Sequence, residues 1–255
     1  MSALLNYLKP FSLFFALLLL WQAATWLFDI PTFLLPSPWE IVTKIAEIPD
    51  RLLAHTLITL YEVLAGFTLA VVVGISLATA IVHSKFLAES LYPLLVITQV
   101  TPQVAIAPIL VIWFGSGDLP KILVAFFVAF FPMVVNTSVG LRRVDPDLIS
   151  LMRGLHSSRW RIFLLIRLPN AMPYIFAGMR ISITLAVIGA VVGEFVAAHE
   201  GLGYLVFTGT ANLDTRLTFA AITILAALGI TLFTLVGIAR RVALPWARES
   251  NEGEA

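Results

Sequence analysis

The sequence predicts an all-α integral membrane protein of about six transmembrane helices, and three observations carry that prediction. The 255-residue chain is 60% hydrophobic and only 12% charged, with a mean hydropathy of +0.97. A soluble domain carries roughly 25% charged residues, so this chain has too few to cover a water-facing surface. Apolar runs of the length needed to cross the hydrocarbon as helix, about 20 residues, recur along it. Lys and Arg are also distributed unevenly between alternate connecting segments, as membrane insertion requires.

The same composition excludes other classes. A net charge of +1 provides no surplus of cations for phosphates, so no nucleic-acid partner is expected. The absence of cysteine removes disulfides, Cys-ligated zinc and thiol catalysis together. His55, His83, His156 and His199 fall at span ends or in loops without metal-ligand spacing, so no metal site and no catalytic residue is assigned.

The first apolar run, 11–28, follows only Lys9 and the amino terminus, is longer than the core of a secretory signal, and lacks a small-residue cleavage site. It is read as a retained first span, with residues 1–30 forming the N-terminal region. Segment 31–56 sets Glu40, Lys44 and Glu47 against Ile41, Ile45 and Ile48, the pattern of an extracytoplasmic interfacial helix rather than a span. Residues 57–245 form the membrane core, with spans at roughly 57–82, 88–113, 119–141, 174–198 and 217–239. The third of the six spans is interrupted by Pro93, Pro102 and Pro108. Irregular backbone of that kind is tolerated only where protein or a water-filled cavity covers it. A polar tail, 246–255, follows, and no internal repeat is visible.

With the amino terminus in the cytoplasm, the inside segments hold Lys9, Lys85, Arg142, Arg143, Arg153, Arg159, Arg161, Arg167, Arg240, Arg241 and Arg248. The outside segments hold Lys44, Arg51, Lys121 and Arg216, and Arg180 lies within a span near its cytoplasmic end, where it reads as a snorkelling anchor. Both termini and the 142–169 loop are therefore expected to be cytoplasmic.

Gly66, Ala70, Gly74 and Ala78 form a smooth stripe on the second span, and Gly189 and Gly193 make a GxxxG in the fifth. Small residues at this spacing let backbones approach closely, either within the chain or at a subunit interface. Glu62 and Glu194 either snorkel to an interface or line a pathway. Gln99, Thr101, Gln103, Asn136, Thr137 and Ser138 supply uncharged hydrogen-bonding groups beside the broken third span and in the fourth. They suit either a polar solute or bonds between helices. Gln99, Thr101, Gln103, Asn136, Thr137 and Glu194 are the candidate substrate-pathway residues.

The cationic segment 145–169 stands apart from the apolar runs around it. Asp145, Pro146 and Asp147 make a helix start. Leu148, Leu151, Met152 and Leu155 then share one face. Gly154 and His156 weaken the helix, and Ser157 or Ser158 can cap a second one that carries Trp160, Ile162, Phe163 and Ile166 and ends at Leu168-Pro169. Such a pair can lie on a membrane surface or dock into a groove of another protein.

This segment resembles the cytoplasmic signature loop of binding-protein-dependent ABC importer permeases, which reads EAA, three residues, Gly, nine residues, Ile, one residue, Leu-Pro. Ile166, Leu168 and Pro169 match its end. The signature Gly falls on His156 and the EAA on Ser150, Leu151 and Met152, so the chain departs from the pattern at both. The SSRW run (157–160), LLPSPWE (34–40), TPQVAIAPILVIWFG (101–115), LPNAMP (168–173) and EGLGYLV (200–206) resemble the subgroup for sulfonate, taurine, nitrate and pyrimidine-type substrates. The similarity extends over roughly 30–245.

The resemblance implies a type I ABC importer-like fold in a bacterial inner membrane, a multi-pass, homodimeric permease without cofactors of its own. ATP and Mg would be bound by a partner ATPase, and an extracytoplasmic solute-binding protein would deliver the solute. It also implies that the loop opens with a coupling helix that seats on the ATPase. Leu148, Leu151, Met152, Arg153, Gly154, Leu155, His156 and Arg159 would form that contact. No Gly-x4-Gly-Lys-Ser/Thr is present, so the chain has no P-loop of its own.

The expected function is uptake of a small organic solute by alternating access, and the 101–117 region resembles permeases for pyrimidine- or vitamin-type heterocycles more than those for sulfonates. Sulfonate, taurine or nitrate import by the same architecture is the alternative. An ion-driven secondary transporter is the reading from a different class. It normally brings repeated halves and buried charges.

Overall fold

The computed structural model describes residues 2–84, 86–90, 97 and 103–247. Among these, every regular element is helical. Among the described residues, four helical segments are long and apolar enough to cross a membrane: Pro49–His83, Asp118–Arg142, Arg159–Val196 and Thr215–Ala243. Two shorter apolar stretches, Ser12–Leu27 and Leu202–Ala211, accompany them. The chain divides into two compact units, one made of 1–58 with 200–226, the other of 59–199 with 227–255.

The first unit holds α1 (Ser2–Leu27), α2 (Pro38–Glu47), the start of α3 (Pro49–His83), α9 (Leu202–Ala211) and the start of α10 (Thr215–Ala243). Ser37 and Glu40 close a reciprocal capping box at the head of α2, with Pro38 in the first turn. The Trp39 amide donates to Gln22 Oε1 at 3.0 Å, tying α2 to α1. Leu52, Leu202, Leu205 and Ala221 form the core, flanked by Ile45 and Ile48. Lys44 pairs with Asp214 at 3.6 Å, and Asp214 Oδ1 accepts from the Leu217 amide at the head of α10. Gly201, at φ +110°, donates its amide to His55 Nδ1 at 2.8 Å.

Two element boundaries in this unit differ from the sequence expectation. α3 begins at Pro49 rather than near 57, because Asp50 and Arg51 sit in its first turn without ending the helix. α9 was not anticipated at all: its glycines and threonines hide a helix that packs Leu202, Gly203, Leu205 and Gly209 inward.

The second unit holds the rest of α3, a 3-10 turn (Gln103–Ile106), α4 (Ala107–Phe114), α5 (Asp118–Arg142), α6 (Pro146–Gly154), α7 (Arg159–Ile162), a π turn (Phe163–Arg167), α8 (Leu168–Ala197) and the remainder of α10. Its core joins Val63 and Ala70 of α3, Ala125 and Ala129 of α5, Ile183, Ala186 and Ala190 of α8, and Leu228, Leu232 and Val236 of α10. α5 lies between α3 and α8 at very close range. A Cβ on Gly66 would stand 2.6 Å from the Ala125 Cβ, and one on Gly189 would stand 2.7 Å from the Ala125 Cα. Gly74 meets Met133 and Gly193 meets Lys121 in the same way. Both small-residue motifs thus pack within the chain.

The segment after α6 does not stop at Leu168-Pro169 as the sequence suggested. Arg159–Val196 runs on as one apolar helical segment. Proline removes a backbone donor and crowds the carbonyl four residues earlier. The wider π turn immediately before Leu168 is where the chain absorbs that demand without breaking.

Candidate functional site

α6 is built by its caps. The Asp145 side chain accepts from the Asp147 amide at 2.8 Å, Pro146 occupies the first turn, and Arg153 lies in the last, where it complements the helix dipole. At the other end the His156 amide donates to the Arg153 carbonyl at 2.9 Å and the Ser157 amide to the Met152 carbonyl at 3.0 Å. This is a Schellman closure, and its left-handed position is filled by His156 at φ +54°. Glycine is favoured there because it lacks a Cβ. The aligned signature glycine falls on this residue. Gly154, two residues earlier, is the last residue of the helix and has open space around it. Ser158 then caps α7, accepting from the Arg161 amide at 3.3 Å.

The α6 surface is apolar and uncovered. None of the helix residues is buried, and Leu148, Leu151 and Leu155 are 48%, 61% and 66% exposed. Met152 is half-buried and its sulfur lies 3.9 Å from Ser157 Oγ. Arg153 and Arg159 are exposed at the margin. Asn170 holds this region in place, a role the sequence reading missed. Its side-chain amide donates to the carbonyls of Gly140 and Arg143 at 3.3 and 2.7 Å, satisfying the end of α5 just before α6 begins. The signal was present in the LPNAMP run, but a cap supplied from 27 residues downstream has no local spacing to reveal it.

A second polar constellation lies inside the helix packing. Lys121 of α5 pairs with Glu62 of α3, and its Nζ lies 3.1 Å from Asp118 Oδ1. Thr59 Oγ1 donates to Glu194 Oε1 of α8 at 2.6 Å. Thr59, Glu62, Lys121 and Glu194 are all buried. The sequence reading counted Lys121 with the outside cations, at the start of the 119–141 span. The structure instead brings it into α5 opposite Glu62, a neighbour only through tertiary packing.

Gln99 and Thr101 lie outside the described residues, and Gln103 opens the 3-10 turn. Asn136 is half-buried and donates to the Pro132 carbonyl at 2.8 Å. Thr137 and Glu194 are enclosed by neighbouring helices, so a solute does not reach them in this conformation. Arg180 lies with its guanidinium carbon 4.1 Å over the Phe233 ring of α10, next to Gly237. Among the described residues, no group of His, Cys, Asp or Glu is arranged to hold a metal ion.

Comparison with known proteins places this architecture. Residues 70–248 match the family model described as the binding-protein-dependent transport system inner membrane component. A riboflavin transport system permease of Chloroflexus aurantiacus is 38% identical, over 90% of this chain and 87% of that protein. A formylaminopyrimidine transport permease of Halalkalibacterium halodurans is 34% identical, over 95% and 97%. A taurine transport system permease of Escherichia coli is 28% identical, over 90% and 86%. Matched over most of its length by this family model and by these permeases, the chain belongs to the binding-protein-dependent family of ABC importer permeases, as a membrane-spanning transport subunit that is not itself the catalytic one.

Proposed function

We propose that this permease imports a small heterocyclic solute of the pyrimidine or vitamin-precursor type, and that α6 is the coupling helix through which a cytoplasmic ATPase drives it. The uncovered ridge of Leu148, Leu151 and Leu155 carries the second part of the reading. An apolar helix face on a short, doubly capped element gains by being buried against a partner groove. Arg153 and Arg159 at its margin would guide the encounter. ATP and Mg are bound by that partner, and two copies of the chain enclose the pathway. The charge distribution along the sequence supports cytoplasmic termini and a cytoplasmic α6.

Alternating access then needs one differential: the closed ATPase pair must bind one placement of the two α6 helices better than the other. The greater identity to the riboflavin and formylaminopyrimidine permeases than to the taurine permease supports the heterocycle. Gln99, Thr101, Gln103 and Asn136 are the pathway candidates this reading retains.

The test is reconstitution with the cognate ATPase and solute-binding protein in liposomes. ATP-dependent accumulation of a heterocycle is expected. Accumulation of taurine or nitrate in its place would overturn the solute assignment, and uptake driven by an ion gradient without the ATPase would overturn the mechanism. Because the chain lacks cysteine, a single Leu151→Cys substitution also reports orientation. A membrane-impermeant maleimide should label it in inverted vesicles and not in intact cells.

A further inference from the structure

α3, α5 and α8 meet in two successive layers. In one, Gly66 and Gly189 close on Ala125, with no room for a side chain on either glycine. One helical turn away lie Glu62, Lys121 and Gly193, where a Cβ on Gly193 would stand 2.9 Å from the Lys121 Cα. Glu194 follows Gly193 in the chain, so the three helices bring two carboxyls and one ammonium together. Glu62, Lys121 and Glu194 are 0%, 4% and 1% exposed.

The charges in that layer do not balance. Lys121 pairs with Glu62 Oε1 and also reaches Asp118 Oδ1 at 3.1 Å, but the Asp118 side chain is 60% exposed and solvated. One buried ammonium therefore faces two buried carboxyls, and a second buried negative charge without a partner of its own is too costly to keep. Individual oxygens show where the deficit falls. Glu62 Oε2 is fully enclosed, and among the described residues no N–H or O–H donor bonds to it. The Glu194 carboxyl faces that of Glu62 at hydrogen-bonding range. Two ionised carboxylates can only accept, so a bond between them needs a hydrogen on one. Thr59 donates its hydroxyl to Glu194 Oε1 at 2.6 Å, which marks that oxygen as an acceptor and leaves the hydrogen for the other.

We propose that Glu62 and Glu194 hold one proton between them, and that this proton fastens α3 to α8 beside Lys121. Glu194 carries it and donates to Glu62, which takes the Lys121 ammonium on its other oxygen. The layer is then neutral, with one carboxylate, one ammonium and one carboxylic acid. Two carboxyls this close do not both ionise, and the charge on the first holds the proton on the second. The remaining helices of the packing bring apolar side chains: Ala107 and Leu110 from α4, and Leu228, Leu232 and Val236 from α10. Parting α3 from α8 takes the acceptor away, so a conformation that separates these two helices returns the proton to water.

Infrared spectroscopy of the purified permease tests the proposal, in a maltoside detergent that has no carbonyl of its own. At neutral pH the unsubstituted protein should show the C=O stretch of a buried carboxylic acid, above the amide band and moving to lower frequency in D2O. Glu194→Gln and Glu62→Gln should each abolish it, because one carboxylate and one ammonium already balance. Both substitutions keep the size and polarity of the side chain, and size-exclusion chromatography confirms that each variant is folded. Asp118→Asn should leave the band at full area, since a solvated carboxylate holds no proton at neutral pH. No acid band in the unsubstituted protein would mean that both carboxyls are ionised, and would overturn the proposal. A band that persists in Glu62→Gln would overturn the sharing, by leaving an isolated acid on Glu194, and persistence in both variants would place the proton elsewhere. These readouts need neither solute nor ATPase, so they stand apart from the assignment of α6 as a coupling helix.

Discussion

The amide of Ser157 donates to the carbonyl of Met152 at 3.0 Å, and the turn it closes forces His156 into the left-handed region at φ +54°. A side chain there crowds the following carbonyl, although histidine tolerates the position better than most residues. His156→Gly should therefore tighten the end of α6. The expected gain is about 0.5–1 kcal/mol, after allowing for the extra freedom of glycine in the unfolded chain. Hydrogen exchange at the Ser157 amide should slow; faster exchange would show that the imidazole makes a contact that outweighs the strain.

α5 accommodates its neighbours only where they present glycine. Gly66→Val would drive a side chain into Ala125 and the Ile122 carbonyl. The cost should reach about 1–3 kcal/mol or more, because backbone has to move. Gly229→Ala in α10 meets nothing within 4 Å and should be neutral or slightly stabilising. Thermal unfolding followed by size-exclusion chromatography separates the two. Equal melting temperatures would contradict the close packing of α3 on α5.

Lys121 is the sole buried cation described beside the buried carboxylates Glu62 and Glu194. Lys121→Met leaves Glu62 without its counter-charge, and breaking a buried pair from one side costs about 3–5 kcal/mol. Lys121→Met with Glu62→Leu should recover most of that loss, since the unpaired charge is gone. A double mutant no more stable than Lys121→Met would mean that the pair contributes nothing as a pair.

What was legible in the sequence depended on how local its cause was. The head of α6 follows from Asp145-Pro146-Asp147, and the start of α7 from Ser158, because a cap and its helix are adjacent in the chain. The long apolar segments follow from composition in the same way. The continuation through Pro169 was hidden because a π turn and an α-helix share the same apolar pattern, and only the backbone register distinguishes them. α9 was hidden by Gly203 and Gly209, both buried inside the helix packing, Gly209 where a Cβ would meet Thr218. The links from Lys121 to Glu62, Thr59 to Glu194 and Asn170 to Arg143 join distant segments. No spacing rule reaches that far. Of the candidate site, the α6 face was readable as a helical stripe, while the meeting of Glu62, Lys121 and Glu194 was not, since they stand on three different helices.

The central claim is that the Leu148, Leu151 and Leu155 ridge seats on an ATPase subunit, and co-purification of that subunit with Leu151→Asp tests it most directly. The substitution is on an exposed side chain, so membrane insertion and helix content should match the unsubstituted permease. The ATPase should no longer be retained on the column, because burying an unpaired carboxylate in an apolar groove is costly. Arg159→Gln, changing a charge at the margin, should weaken retention far less. Full recovery of the ATPase with Leu151→Asp would contradict the account.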